Sequence, residues 1–321
     1  LDAALFGDWL PSAPRVRHLV GSSIGAWRFA NAMRKNPVEA LRHFAAVYSA
    51  QHYPRPITKH TVTDYCQGMM HELFDDAAED ILNHPHYRLS IIAARGRGVL
   101  VQESPRGTLA GLAAAAIANG VRRSQLRHFF SRTVFHDVRE KCPVFNAAAE
   151  QSAEINFDRF HTDHIPLTKQ NLSSALLASG SIPLVLEGVT NIPGAPVGTY
   201  WDGGIIDYHI HWPYHRAKGL VLYPHFTDKI IPGWLDKSLP WRKAKGEWLD
   251  NVILISPSAD YLARLPFGKL PDRSDFKKFI DDPTARMRYW KFAVSESQRL
   301  GDEFLAIADG IDIAKNILLL G

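Results

Sequence analysis

The stretch Arg17-His18-Leu19-Val20-Gly21-Ser22-Ser23-Ile24-Gly25-Ala26-Trp27-Arg28-Phe29-Ala30 decides how the rest of the chain is read. Its centre, from Gly21 to Gly25, has the form G-x-S-x-G. Leu19 and Val20 close a short apolar run suited to a buried strand. Ala26, Trp27, Phe29, Ala30, Ala32 and Met33 suit a helix starting at Ile24. A serine at such a junction sits on a tight strand-to-helix turn that lifts its hydroxyl off the sheet edge. The adjoining helix N-terminus carries partial positive charge and free N–H groups, which favour an anion formed beside it. Gly21 and Gly25 remove side chains that would crowd the turn. The alternative for the same pattern is a helix cap followed by small packing residues.

Outward from this turn the chain alternates helical and extended patterns, which predicts an α/β fold. Residues 1–10 have helical spacing and are broken by Pro11 and Pro14. Because the chain starts with Leu inside that pattern, the numbered sequence reads as a form of something longer. Asn36-Pro37-Val38-Glu39 opens a helix with Asn as cap, and residues 61–82 read as one long helix. Residues 87–94 form a good strand, followed by a basic turn that is best read as solvated. An Ala-rich helix is expected over 109–118, and strands are expected near 133–135 and 159–165. The second of these carries His161, Asp163 and His164, for which polarity explains more than metal binding does. Further strands are expected at 219–223 and 252–255, both read as buried, and helices at 275–280 and 284–308.

The second informative stretch covers residues 170–207. A helix over 172–179 stops at Gly180, and a strand over 197–201 runs into Asp202-Gly203-Gly204. Asp-Gly is a common turn former. A strand directly before it also places the carboxylate at a sheet edge, where α/β folds build their sites.

The whole chain sets bounds on this reading. It has 321 residues, 46% hydrophobic and 22% charged, as expected of a globular protein. No apolar run reaches the roughly 20 residues that span a bilayer. The net charge of +4 is spread along the chain, so no nucleic-acid partner is implied. Two distant cysteines, Cys66 and Cys142, argue against a disulfide framework and for a reducing, cytoplasmic setting, with peripheral membrane contact compatible with it. No repeat or linker is visible, and residues 1–321 read as one domain. Residues 1–207 form its core, and 208–321 form an extension packed on it.

Three segments together resemble the patatin-like phospholipase family. They are Gly21-Ser22-Ser23-Ile24-Gly25-Ala26-Trp27, Leu176-Leu177-Ala178-Ser179-Gly180-Ser181-Ile182-Pro183 and Tyr200-Trp201-Asp202-Gly203-Gly204, in that order. The resemblance implies a three-layer α/β/α fold around a mostly parallel sheet. It also implies a lipid acyl hydrolase with a Ser–Asp dyad. Ser23 is then the nucleophile, Asp202 the base, and Gly203 and Gly204 shape the second turn beside the elbow glycines. The substrate is an acyl lipid or another ester, transient contact with a membrane surface fits it, and no cofactor or metal is implied. Such a dyad depends on strong oxyanion stabilisation, because an ordinary carboxylate is a weak base. Family members draw that stabilisation from a Gly-rich loop ahead of the elbow. Gly7 is the only glycine before the elbow here, so the chain is expected to lack that loop and the first strand, leaving the Ile24 backbone N–H as a partial oxyanion donor.

Three other readings compete. A Ser–His–Asp hydrolase would draw its base from His209, His211, His215 or His225, but that fold needs more strands before its nucleophile. A metal site could use His209 and His211, on one face if they lie in a strand, together with Asp202 and Asp207. A catalytically impaired scaffold would bind lipid or a protein partner, using the stretch with Trp234, Trp241 and Trp248.

Overall fold

The computed structural model describes residues 1–145 and 157–310. Its centre is β2 (Tyr87–Gly96), ten residues with little exposure on either face, as their near-continuous apolar run requires. β1 (Arg17–Ser22) pairs parallel with its first part, and β3 (Phe130–His136) lies antiparallel on its other side. β4 (Thr162–Pro166) extends the sheet parallel to β3. β5 (Tyr200–Asp202) pairs antiparallel with Ala93, Ala94 and Arg95 of β2.

That last pairing builds the site. β1 and β5 share one flank of β2 and run in opposite directions, so their C-terminal ends meet. Ser22 stands opposite Ile92, and Asp202 stands opposite the next residue, Ala93.

Alternation along β2 sends Leu89, Ile91 and Ala93 into one core and Ile92 and Ala94 into two others behind the sheet. The first core is roofed by α1 (Ile24–Ala32), α2 (Pro37–Ser49), α3 (Lys59–Phe74), the short α4 (Ala78–Leu82) and, later in the chain, α6 (Leu172–Gly180). The opposite face carries α5 (Pro105–Val121) and the turn α7 (Gly204–Asp207). This is the layered α/β class with flanking helices expected from the sequence. Each large apolar side chain fully buried in these cores contributes roughly 1.5–3 kcal/mol.

Several expected elements differ in detail. The helix read over 61–82 is two helices, broken after Phe74. Arg34 donates to the Leu73 carbonyl and pairs with Asp76 and Asp80, which seals the break. Asn36 precedes α2 but its side chain caps no backbone N–H and instead approaches Glu39. The long C-terminal helix is also two, α10 (Pro283–Glu296) and α11 (Gln298–Ala308), after α8 (Ala259–Arg264) and α9 (Ser274–Lys278). β6 (Val221–Pro224) and β7 (Val252–Ile255) pair parallel in a separate two-stranded sheet and are half-exposed, not buried as read. No helix among the described residues is long and apolar enough to cross a membrane.

Candidate active site

Ser23 joins β1 to α1 with φ 55° and ψ −134°. A non-glycine residue at positive φ costs of order 1–3 kcal/mol and persists only where its surroundings hold it. Two hydrogen bonds do so here. The Ser23 N–H donates to Ser179 Oγ at 2.8 Å, and Ser179 Oγ donates to the Ile92 carbonyl at 2.6 Å. Trp27 ties the elbow helix to the same element, donating from Nε1 to the Leu176 carbonyl at 2.9 Å.

The strain aims the hydroxyl. Ser23 Oγ donates to Asp202 Oδ2 at 2.6 Å, the short distance of a hydroxyl bonded to a charged acceptor. Asp202 Oδ1 accepts from the Gly204 N–H at 2.7 Å, and the Asp202 N–H donates to the Ser181 carbonyl at 2.8 Å. Asp202 is 6% exposed. Burial raises its pKa above the ordinary 3.8, opposed in part by the Arg273 charge, the Ser23 hydroxyl and the Gly204 N–H. A carboxylate with a raised pKa is a stronger base than an exposed one.

The glycines divide. A Cβ on Gly21 would lie 2.6 Å from the Ala26 backbone, and one on Gly203 would lie 2.4 Å from the Ile92 carbonyl oxygen. One on Gly204 would press on Asp202 Oδ1 at 2.9 Å. Gly25 differs, since a Cβ there would meet nothing within 4 Å, so the turn itself does not demand glycine at that position. Ile24 is the first residue of α1, and its N–H has no acceptor within the helix.

The late histidines point elsewhere. His209 is buried, with Nδ1 at 3.0 Å from the Lys229 carbonyl and 2.9 Å from the Ile231 N–H. His211 Nε2 meets the Lys245 backbone, and His225 Nδ1 meets the Thr227 carbonyl. His215 is exposed. Ser23 therefore meets Asp202 directly, with none of these rings bonded to either residue. The segment with His209 and His211 is not a strand, Ile210 has φ 39°, and the two rings engage different backbone segments. Asp207, the further carboxylate of the metal reading, is clamped by Arg132. His161 and Asp163 meet at 3.0 Å and Arg95 holds Asp163. No group of three or more His, Cys, Asp or Glu residues is placed to hold a metal among the described residues.

Two residues beside the Ser23–Asp202 pair were given no role in the sequence reading. Ser179 is the serine of the Ala-Ser-x-x-x-Pro pattern in the second resembling segment, but the sequence reading attached no role to it. Arg273, with Nη2 3.9 Å from Asp202 Oδ2, comes from a part of the chain with no recognisable motif. A recess of about 490 Å³ lies at the far end of the strands, lined among others by Leu10, Arg17, Arg34, His84 and Tyr87, and neither Ser23 nor Asp202 lines it.

A family model described as patatin-like phospholipase matches residues 6–209, which include the elbow, Ser179 and the Asp-Gly-Gly turn. No curated protein and no solved structure matches the chain. With the motifs in order and the match covering well over half of its length, the chain belongs to the patatin-like phospholipase family.

Proposed function

We propose that the chain hydrolyses carboxylic esters of acyl lipids through a Ser23–Asp202 dyad. Family membership supports a lipid acyl hydrolase, and the observation that carries the finer reading is the 2.6 Å Ser23–Asp202 hydrogen bond at a positive-φ elbow. Ser23 Oγ attacks the acyl carbonyl carbon while Asp202 Oδ2 takes its proton. The oxyanion forms beside the N-terminus of α1, where the Ile24 N–H and the helix dipole favour negative charge. The tetrahedral adduct collapses, the C–O bond to the alcohol breaks, and Asp202 returns the proton to the leaving oxygen. Water then attacks the acyl-enzyme, with Asp202 again as base and Ser23 as the leaving group.

Contact with a lipid surface belongs to this reading. Trp234 and Trp241 are 46% and 66% exposed, and Leu109, Ile117 and Val121 on α5 are 58%, 72% and 82% exposed. Aromatic and apolar side chains of this kind suit a membrane interface. Trp248, the third tryptophan of that stretch, is buried against His211. The arrangement also supports residues 208–321 as an extension of the same domain, since Arg273 reaches Asp202 from within them.

The test is the intact mass after treatment with a fluorophosphonate ester. One adduct is expected on the native chain and on Ser22→Ala, and none on Ser23→Ala. Absence of an adduct on the native chain, or its survival in Ser23→Ala, would move the protein to the non-catalytic scaffold reading.

A further inference from the structure

We propose that Arg273 is a positioning residue for the Ser23–Asp202 pair. Its guanidinium supplies the counter-charge that keeps Asp202 ionised, from a distance that leaves both carboxylate oxygens to their own donors. The inference rests on the ester-hydrolase reading and adds to it the group that sets the pH range in which the base works.

The charges around Arg273 are sorted into separate pairs. Its neighbours in sequence, Asp272 and Asp275, are both taken by Lys269, whose Nζ lies 2.8 Å from the first and 2.9 Å from the second. Asp272 also accepts from the Ser274 N–H at 2.7 Å. The Arg273 side chain is 56% exposed, and among the described residues its one ion-pair neighbour is Asp202, with Nη2 3.9 Å from Oδ2. That separation is too long for a hydrogen bond, yet within the range over which an opposite charge favours the ionised form.

The distance matters because the carboxylate is already in use. Oδ2 accepts from Ser23 Oγ at 2.6 Å and Oδ1 from the Gly204 N–H at 2.7 Å. Arg132 shows the alternative, closed as a fork onto Asp207 at 2.6 and 2.7 Å. A fork of that kind on Asp202 would compete with Ser23 for Oδ2 and leave the carboxylate a poor proton acceptor. From 3.9 Å, Arg273 offsets part of the cost of burying the anion and displaces no donor.

The other titratable groups packed here are neutral. From α2, the Tyr48 phenol lies close enough to feel the charges of both Arg273 and Asp202, and it also interacts with Cys66 of α3. Burial raises the pKa of both groups, that of the thiol to about 11, so neither is charged near neutral pH. The backbone that carries Arg273 is firmly seated. Asp275 is fully buried and accepts from the Asp272 N–H at 2.9 Å and from Trp290 Nε1 at 3.0 Å, and Trp290 stacks on Tyr48 with ring centroids 5.9 Å apart. The charge is therefore held beside the base by packing and owes its place to no contact with Asp202 itself.

The test is the rate of fluorophosphonate labelling at Ser23 over an acid-to-neutral pH series at constant ionic strength. The probe is an uncharged ester, so its docking gains nothing from the arginine charge. Labelling of the native chain should fall on the acid side as Asp202 is protonated. Arg273→Gln should move that fall to higher pH by about one pH unit, slowing labelling on the acid side about tenfold. The shift is at the low end for a nearby charge because the guanidinium is more than half exposed and screened. Arg273→Glu should move the fall further, and Arg273→Lys should stay near the native chain. Above the fall, Arg273→Gln should label as fast as the native chain or faster, since a carboxylate that holds its proton more tightly is a stronger base. A fall that stays in place in Arg273→Gln, or moves as far in Arg273→Lys, overturns the inference. Slower labelling by one factor at every pH also overturns it, and would assign the charge to the oxyanion. A native chain that does not label loses the hydrolase reading itself, whereas one that labels with a profile indifferent to Arg273 loses only the counter-charge.

Discussion

Asp202 and Asp207 stand five residues apart on the same strand-to-turn junction, and both are almost fully buried, at 6% and 1% exposure. Their partners separate them. Asp207 receives both arms of the Arg132 guanidinium at 2.6 and 2.7 Å and the Trp212 indole N–H at 3.2 Å. Asp202 receives a serine hydroxyl and one backbone N–H, with its nearest cation at 3.9 Å. A buried carboxylate with a full counter-ion is a structural charge. One left with partial compensation has a raised pKa and can take a proton from its neighbour.

The contrast breaks most visibly in activity. Asp202→Asn and Ser23→Ala should each cut ester turnover on the order of 10³-fold or more, and the double variant should be no worse than the poorer single one, because the pair acts as a unit. Steady-state assays with protein of verified fold check this. Independent losses that multiply would separate the two residues. Stability should sort the aspartates the other way. Asp207→Asn removes the carboxylate charge that the buried Arg132 forks onto, which costs about 3–5 kcal/mol in urea unfolding. Asp202→Asn removes a poorly compensated charge and should leave the midpoint unchanged or raise it.

A pH series sharpens the same comparison. The folded pKa of Asp202 lies above its ordinary 3.8, so the folded state holds this proton more tightly than the unfolded chain. Its contribution to stability is complete below the unfolded pKa and is lost as pH rises through the folded value. Activity runs in the opposite direction and falls as pH drops through that folded pKa, where the base becomes protonated. Asp202→Asn should flatten the stability slope in that window. An unaltered slope would show that other groups set it.

Smaller effects test the elbow. Ser179→Ala leaves the Ser23 N–H and the Ile92 carbonyl without their side-chain partner, at an expected cost of about 1–3 kcal/mol. If Ser23 is the nucleophile as proposed, turnover should fall with it while KM stays nearly level, since Ser179 holds the Ser23 backbone. Ser22 gives the opposite control. Its buried Oγ has no hydrogen-bond partner, so Ser22→Ala should fall within about 0.5 kcal/mol of the native chain or slightly above it.

Much of the site was legible because its residues lie in short, locally determined turns. Gly21, Gly203 and Gly204 stand where a side chain would strike backbone or the carboxylate, Ser23 directly follows a strand and Asp202 ends one. Gly25 shows the limit of that logic, since it belongs to the motif but its Cβ position faces open space. The helix break after Phe74 escaped detection because the residue that seals it, Arg34, lies 39 positions away from Leu73. The His209–His211 pair looked like a strand because alternation was the only local cue, while contacts with residues 229–231 and 245 decided its shape.

By itself the sequence determined the α/β class and the placing of a serine and an aspartate at two strand ends, because periodicity and turn chemistry are properties of neighbouring residues, and the resemblance of three short segments pointed to the family. Only the tertiary structure decided that those two ends meet. β1 and β5 do so because both pair with one flank of β2 from opposite directions. It also decided that Ser179 braces the elbow and that Arg273 comes within 3.9 Å of Asp202 from far along the chain. Such relations depend on register and packing between distant segments, and no spacing within the chain encodes them.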